Sequence, residues 1–92
     1  MKVIYKYPLL LIDKQTVEIP VNTKIINVKN QHGLLVLYGI VDLEYIDEKE
    51  NVTIYVVGTG HHKEDNFFEK LEFLDTVMFQ SGTLMFHIFK EK

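Results

Sequence analysis

The 92-residue sequence has no cysteine, no arginine, one serine and two prolines. Without cysteine there is neither a disulfide nor a thiolate metal site, and the composition fits a reducing compartment. Without arginine the chain lacks the bidentate guanidinium fork that clamps phosphates and reads base edges. Its lysines form no basic stripe of the kind a duplex binder shows. Lys2, Lys6, Lys14, Lys24 and Lys29 give the first third a mildly basic tone, Asp42 to Glu50 is acidic, and the net charge is −3. Duplex DNA or RNA is therefore not an expected partner. A small phosphorylated ligand stays open, because lysines, hydroxyls and backbone amides can hold one.

Long apolar runs are also missing. Leu34 to Val41 falls far short of the ~20 residues a bilayer span needs. Met1 to Pro8 is broken by charge and does not read as a secretion signal. The expectation is a cytoplasmic protein with no membrane partner. The single serine, Ser81, sits in Gln80-Ser81-Gly82, where turn chemistry explains it.

What is present reads as one all-β domain over residues 1–92, a small antiparallel sandwich or open barrel of about seven strands. The expected strands are Val3 to Tyr7, Gln15 to Ile19, Lys24 to Gln31, Leu34 to Asp42, Asn51 to Thr59, Leu71 to Phe79 and Thr83 to Phe89. Pro8 and Pro20 read as the ends of the first two. Gln31-His32-Gly33 reads as a tight hairpin turn with Gly33 at positive φ. Residues 60–70 read as a loop or one helical turn. A helix over Asn66 to Leu74 is the competing reading, because Phe67, Leu71 and Leu74 recur at helical spacing.

Three strands are apolar on both faces: the fourth, the fifth and the last. A lone sheet with one wet face would alternate. One sandwich core buries one face of each sheet, so the second face needs a cover: more strands, the loop aromatics Phe67 and Phe68, or another subunit. A chain that hides only about 60–65% of its unfolded surface has little margin for a bare apolar patch. A homo-oligomer is expected on this ground.

The chemistry-bearing residues cluster after the fifth strand, in Gly58-Thr59-Gly60-His61-His62. Glycines on either side of Thr59 free the backbone and let a ligand approach it closely. The spacing is not a dinucleotide fingerprint; it suits either an anion nest or a simple strand-end turn. Thr59 and His61 are the only local pair resembling a nucleophile and base, and chance explains such a pair. His61 and His62 lack zinc-ligand spacing, so no metal or other cofactor is expected. Asp42 to Glu50 reads as a solvated connection. Asp75, inside an apolar strand, reads as a carboxylate paired with a lysine or capping a backbone group. His87 reads as a buried histidine with one hydrogen-bond partner. Tyr5 and Tyr7 share a face, and Tyr38 and Tyr55 lie in two other strands, where core packing competes with a stacking role.

Tyr5-Lys6-Tyr7-Pro8-Leu9, Asp13 to Pro20, Gly58-Thr59-Gly60-His61, Phe73 to Val77 and Gly82 to Phe89 come in an order that resembles a widespread family of small phage and prophage proteins. That family resembles in turn the viral sponge proteins that sequester cyclic nucleotide signals of bacterial antiphage defence, including CBASS-type systems. The resemblance implies a phage-encoded, non-enzymatic binder in the host bacterial cytoplasm. It implies ligand contacts first at Gly58, Thr59, Gly60 and His61, then at Gln15 and Thr16, with Tyr7 or Tyr38 as a stacking face. A protein-interaction module that inhibits a host protein through an apolar sheet face is the alternative, and a small hydrolase of the same signals is a third.

Overall fold

The computed structural model describes all of residues 1–92. Seven strands form two antiparallel sheets packed face to face as a sandwich. They are β1 (Lys2–Leu9), β2 (Lys14–Pro20), β3 (Lys24–Gln31), β4 (Leu34–Asp42), β5 (Lys49–Gly58), β6 (Leu71–Phe79) and β7 (Leu84–Glu91). One sheet has the order β1-β4-β3 and the other β2-β5-β7-β6. No helix is long and apolar enough to cross a membrane.

The doubly apolar strands are the interior ones. β4 lies between β1 and β3, and β5 and β7 are the two inner strands of the larger sheet. Their inward side chains build the core: Leu35 and Leu37 of β4, Ile54 and Val56 of β5, and Ile88 of β7, with Leu9, Val28, Val77 and Phe79 from the flanking strands. Each fully buried Leu, Ile or Val contributes about 1.5–3 kcal/mol of transfer free energy.

Turn chemistry sets the connections. His32 and Gly33 both have positive φ, the requirement of a two-residue primed turn, and the Asn30 side-chain oxygen Oδ1 accepts the Gly33 N–H at 2.7 Å. The β6–β7 turn runs through Gln80, Ser81 and Gly82, all at positive φ. The acidic connection after β4 holds one 3₁₀ turn, Leu43–Tyr45, whose first turn is capped by the Asp42 carboxylate accepting the Glu44 N–H at 3.1 Å. Both proline boundaries differ from the sequence reading, and β5 and β7 are offset from it by one or two residues at their ends. β1 continues through Pro8 to Leu9, and β2 includes Pro20. Both are edge strands, where a missing N–H costs no ladder bond on the open side.

Residues 60–70 form a loop of successive tight turns rather than a helix; the Phe67, Glu69 and Leu71 amides bond back to the carbonyls of Glu64, Asn66 and Phe68. This loop covers the outer face of the larger sheet. Phe67 packs edge-on to Tyr55 at 5.6 Å and to Phe68 at 5.0 Å, and Phe68 reaches Phe89 at 5.3 Å. Of the three covers that the apolar strands required, this sheet uses the loop aromatics. The outer face of the three-stranded sheet has no such cover.

Along one side the two sheets are tied together. β3 and β6 are neighbouring edges. Asp75 stands in a bulge of β6, and its carboxylate accepts the Val28 N–H at 3.0 Å while pairing with Lys29 at 3.2 Å. The Asn30 amide donates to the Met78 carbonyl at 3.0 Å. Asp75 thus fills both roles read for it in the sequence, and the β3 edge is left with fewer free donors for edge-to-edge pairing.

Candidate functional site

The antiparallel registers bring four connections to one end of the sandwich: Leu10 to Asp13, His32-Gly33, Gly58 to His61, and Gln80 to Thr83. Gly58 closes β5, and alternation from Ile54 and Val56 points that position toward the core. The chain turns back at once: the His61 N–H donates to the Gly58 carbonyl at 3.2 Å, and Gly60 takes φ +87°. The turn lays the His61 imidazole directly on Gly58. A Cβ at residue 58 would stand 2.9 Å from His61 Cε1 and 3.1 Å from Nε2. The glycine is what lets the ring lie there.

The next side chain along, Thr59, leaves the strand end on the opposite face. Its hydroxyl lies 2.8 Å from His87 Nε2, and the Thr76 hydroxyl lies 3.0 Å from His87 Nδ1. In a neutral imidazole one nitrogen donates and the other accepts, and the two hydroxyls adapt to either tautomer. His87 is half-buried rather than buried, and it has two partners rather than one. Thr59 pairs with His87, across β5 and β7, and not with His61, the pair that chain proximity singled out. The β5–β7 register, which sets Val57 opposite His87, creates this contact. No local motif carries it, because Thr59, Thr76 and His87 lie far apart in the chain.

A cleft of 330 Å³ opens at this strand end. Gly58, Thr59 and His61 line one side, and Thr83, Leu84, Met85 and Phe86 the other. Its volume falls at the low end of the range for small-ligand sites. The imidazole of His61 and the hydroxyls of Thr59 and Thr83 supply polar groups, and Leu84 and Phe86 supply apolar surface; Gly60 shapes the turn but does not line the cleft. No three His, Asp or Glu side chains stand close enough together to hold a metal ion.

The other residues singled out from the sequence lie elsewhere. Gln15 closes the β1–β2 connection: its side chain accepts the Leu10 N–H at 2.9 Å and donates to the Leu10 carbonyl at 2.6 Å. Thr16, on β2, stands exposed opposite Thr53. Tyr7 packs against the core on the inner side of the three-stranded sheet, where burial, and secondarily Tyr5, raises its phenol above the ordinary value. Tyr38 belongs to the outer face of that same sheet, with its hydroxyl donating to Gln31 Oε1 at 2.8 Å. Thus Gly58, Thr59 and His61 share one cleft. Tyr7 and Tyr38 belong to the other layer and do not line it, so the aromatic beside the cleft is Phe86.

A family model described as a domain of unknown function, DUF7352, matches residues 1–92. Curated proteins and solved structures yield no match. The chain belongs to the DUF7352 family.

Proposed function

We propose that this member of the DUF7352 family binds a small nucleotide-derived ligand in the Gly58–His61 cleft and holds it without cleaving it. In the setting that the sequence resemblance implies, the ligand is a cyclic nucleotide defence signal. The protein is then a phage product acting in the cytoplasm of a bacterial host, lowering free signal by mass action. The observation that carries the reading is the seating of His61 on Gly58. A glycine at the strand end, a positive-φ Gly60 and an imidazole over bare backbone leave polar main chain and one hydrogen-bonding ring beside an apolar wall. Such a site suits a heterocycle recognised by its edge, with selectivity from polar groups that a wrong ligand leaves unpaired. It does not depend on arginine. Two clefts brought together by self-association would enclose a cyclic dinucleotide more fully than one.

One observation favours a hydrolytic reading. Thr59, His87 and Thr76 form a hydroxyl–imidazole–hydroxyl series at the spacing of a nucleophile, a base and an orienting group. Its third member is neutral, so an imidazolium formed at His87 would have no carboxylate beside it. Binding is the better-supported reading. Calorimetric titration with cyclic di- and trinucleotides, followed by recovery of the bound molecule after denaturation, separates the two. Intact ligand and lost affinity in His61→Ala support sequestration; a linear product that disappears in Thr59→Val sinks it.

A further inference from the structure

The outer face of the three-stranded sheet carries an apolar stripe that is open at its two ends. It runs along the central strand through Leu34, Val36, Tyr38 and Ile40 and is joined by Ile4 of β1; Val36 is buried and Tyr38 and Ile40 are half-buried, so the exposed apolar surface is Leu34 at one end and Ile4 at the other. Leu34 and Ile4 are 65% and 58% exposed. Lysines flank it on both sides, Lys2 and Lys6 on β1 and Lys24 and Lys29 on β3. Of the ten lysines, four lie on this face; of the thirteen carboxylates, only Asp42 does. The face therefore carries +3 and the rest of the chain −6. Lys29 is held by Asp75, which leaves three lysines without a carboxylate in salt-bridge range. A second copy packed face to face would set like charges against each other, and the charge balance calls for an acidic partner.

The dimensions suit a helix. The two lysine rows stand two strand spacings apart, about 9.6 Å, close to the ~10 Å diameter of an α-helix. Two depressions lie toward opposite ends of the stripe. One, of 330 Å³, includes Lys6, Leu34 and Val36. The other, of 480 Å³, includes Lys2, Lys24 and Ile40. About five strand residues, roughly 16 Å, separate them. Side chains at i and i+11 of a helix lie about 16 Å apart on one face. We propose that this face docks an amphipathic helix of a partner protein, with an apolar seam on the β4 stripe and acidic flanks against Lys2, Lys6 and Lys24. A helix laid on a sheet is an ordinary way to bury such a face. The proposal does not depend on the cleft, which lies on the other sheet.

The probe is a fluorescein-labelled helical peptide of about 22 residues made of leucine, alanine and glutamate. Its leucines stand at i, i+4, i+7 and i+11, with glutamates on both flanks. The expected result is saturable binding that weakens as salt rises, with amide chemical-shift changes confined to the outer positions of β1, β3 and β4. Lys6→Glu combined with Lys24→Glu should weaken binding about tenfold or more, and Ile4→Asp should do the same. All three side chains are exposed, so these variants should fold; Lys14→Glu, on the other sheet, should leave binding unchanged. The proposal is overturned if the peptide does not bind, or if its shifts map to the larger sheet. It is equally overturned if phosphatidylserine vesicles or single-stranded RNA occupy the face while the peptide does not.

Discussion

Replacing Asp75 with alanine tests how the two sheets are held together. The Asp75 carboxylate is the partner of the Val28 N–H, at 3.0 Å, and Val28 is fully buried. Alanine would leave that donor without its acceptor. An orphaned buried donor costs about 1–3 kcal/mol, and a bond to a charged acceptor sits in the upper part of that range. The pair with Lys29, whose side chain is 56% exposed, adds about 0–1 kcal/mol. The sum is about 2–3 kcal/mol, against a total of about 5–15 kcal/mol for a domain of this kind. At about 4–8 °C per kcal/mol for this size, Tm should fall by roughly 10–20 °C. Urea denaturation at neutral pH gives the free energy directly. Asp75→Asn keeps a carbonyl that can accept the same N–H and should lose about half as much. Lys29→Ala should lose less than about 1 kcal/mol. The reasoning is refuted if Asp75→Ala costs under about 0.5 kcal/mol, or if Lys29→Ala costs as much as Asp75→Ala.

Gly58→Ala should displace the His61 ring, which a Cβ would approach to 2.9 Å. Because His61 is exposed and free to move, stability should change by less than about 1 kcal/mol. The His61 ring resonances should shift and ligand affinity should fall. Phe67→Ala removes edge contacts to Tyr55 and Phe68 and uncovers the outer face of the larger sheet. It should cost about 1–3 kcal/mol and raise binding of a hydrophobic dye, both measurable in one urea series. Tyr7 ionises above the ordinary value of 10.0 because its phenol is partly buried. The unfolded chain therefore loses that proton first, so the contribution of Tyr7 is intact below pH 10.0 and falls as pH rises toward its folded value. Tyrosinate absorbance should show a step above the ordinary value, and Tyr7→Phe should remove it.

Most of the architecture was readable from alternation. Strands apolar on both faces proved to be the interior strands of the two sheets; the loop aromatics cover the outer face of β5 and β7, and that of β4 has no loop over it. Gly33 followed from the φ that a two-residue hairpin demands, and Asp75 from the cost of an unpaired carboxylate in an apolar strand. The proline boundaries did not follow, because a proline stops a strand only where its missing N–H faces a neighbour, and edge position depends on sheet order. The helical spacing of Phe67, Leu71 and Leu74 was a coincidence of two elements: Phe67 covers Tyr55 from the loop, while Leu71 and Leu74 belong to β6.

The site was legible only where it is local. Gly58, Thr59 and His61 are close in the chain and meet in one cleft. The partner of Thr59 was not legible, since His87 comes from 28 residues away through the β5–β7 register. The sequence reading put the stacking face at Tyr7 or Tyr38 and did not single out Phe86, because composition does not say which sheet, or which face, a strand will occupy. The charge contrast between the two outer faces was hidden for a related reason. Lys2, Lys6, Lys24 and Lys29 are scattered along the chain, and only the β1-β4-β3 order gathers them around one stripe.

The account stands or falls on ligand binding at the strand end of β5. The most direct measurement is thermal unfolding of the protein against a panel of cyclic di- and trinucleotides, cyclic ADP-ribose isomers, linear nucleotides and divalent metals, repeated with His61→Ala. A cyclic nucleotide at 100 times its Kd should stabilise the fold by about 2.7 kcal/mol, a rise of roughly 10–20 °C for a domain of this size. The account predicts that rise for one class of cyclic nucleotide, its loss in His61→Ala, and recovery of the ligand unchanged. A flat panel, or a rise that His61→Ala leaves intact, would contradict it.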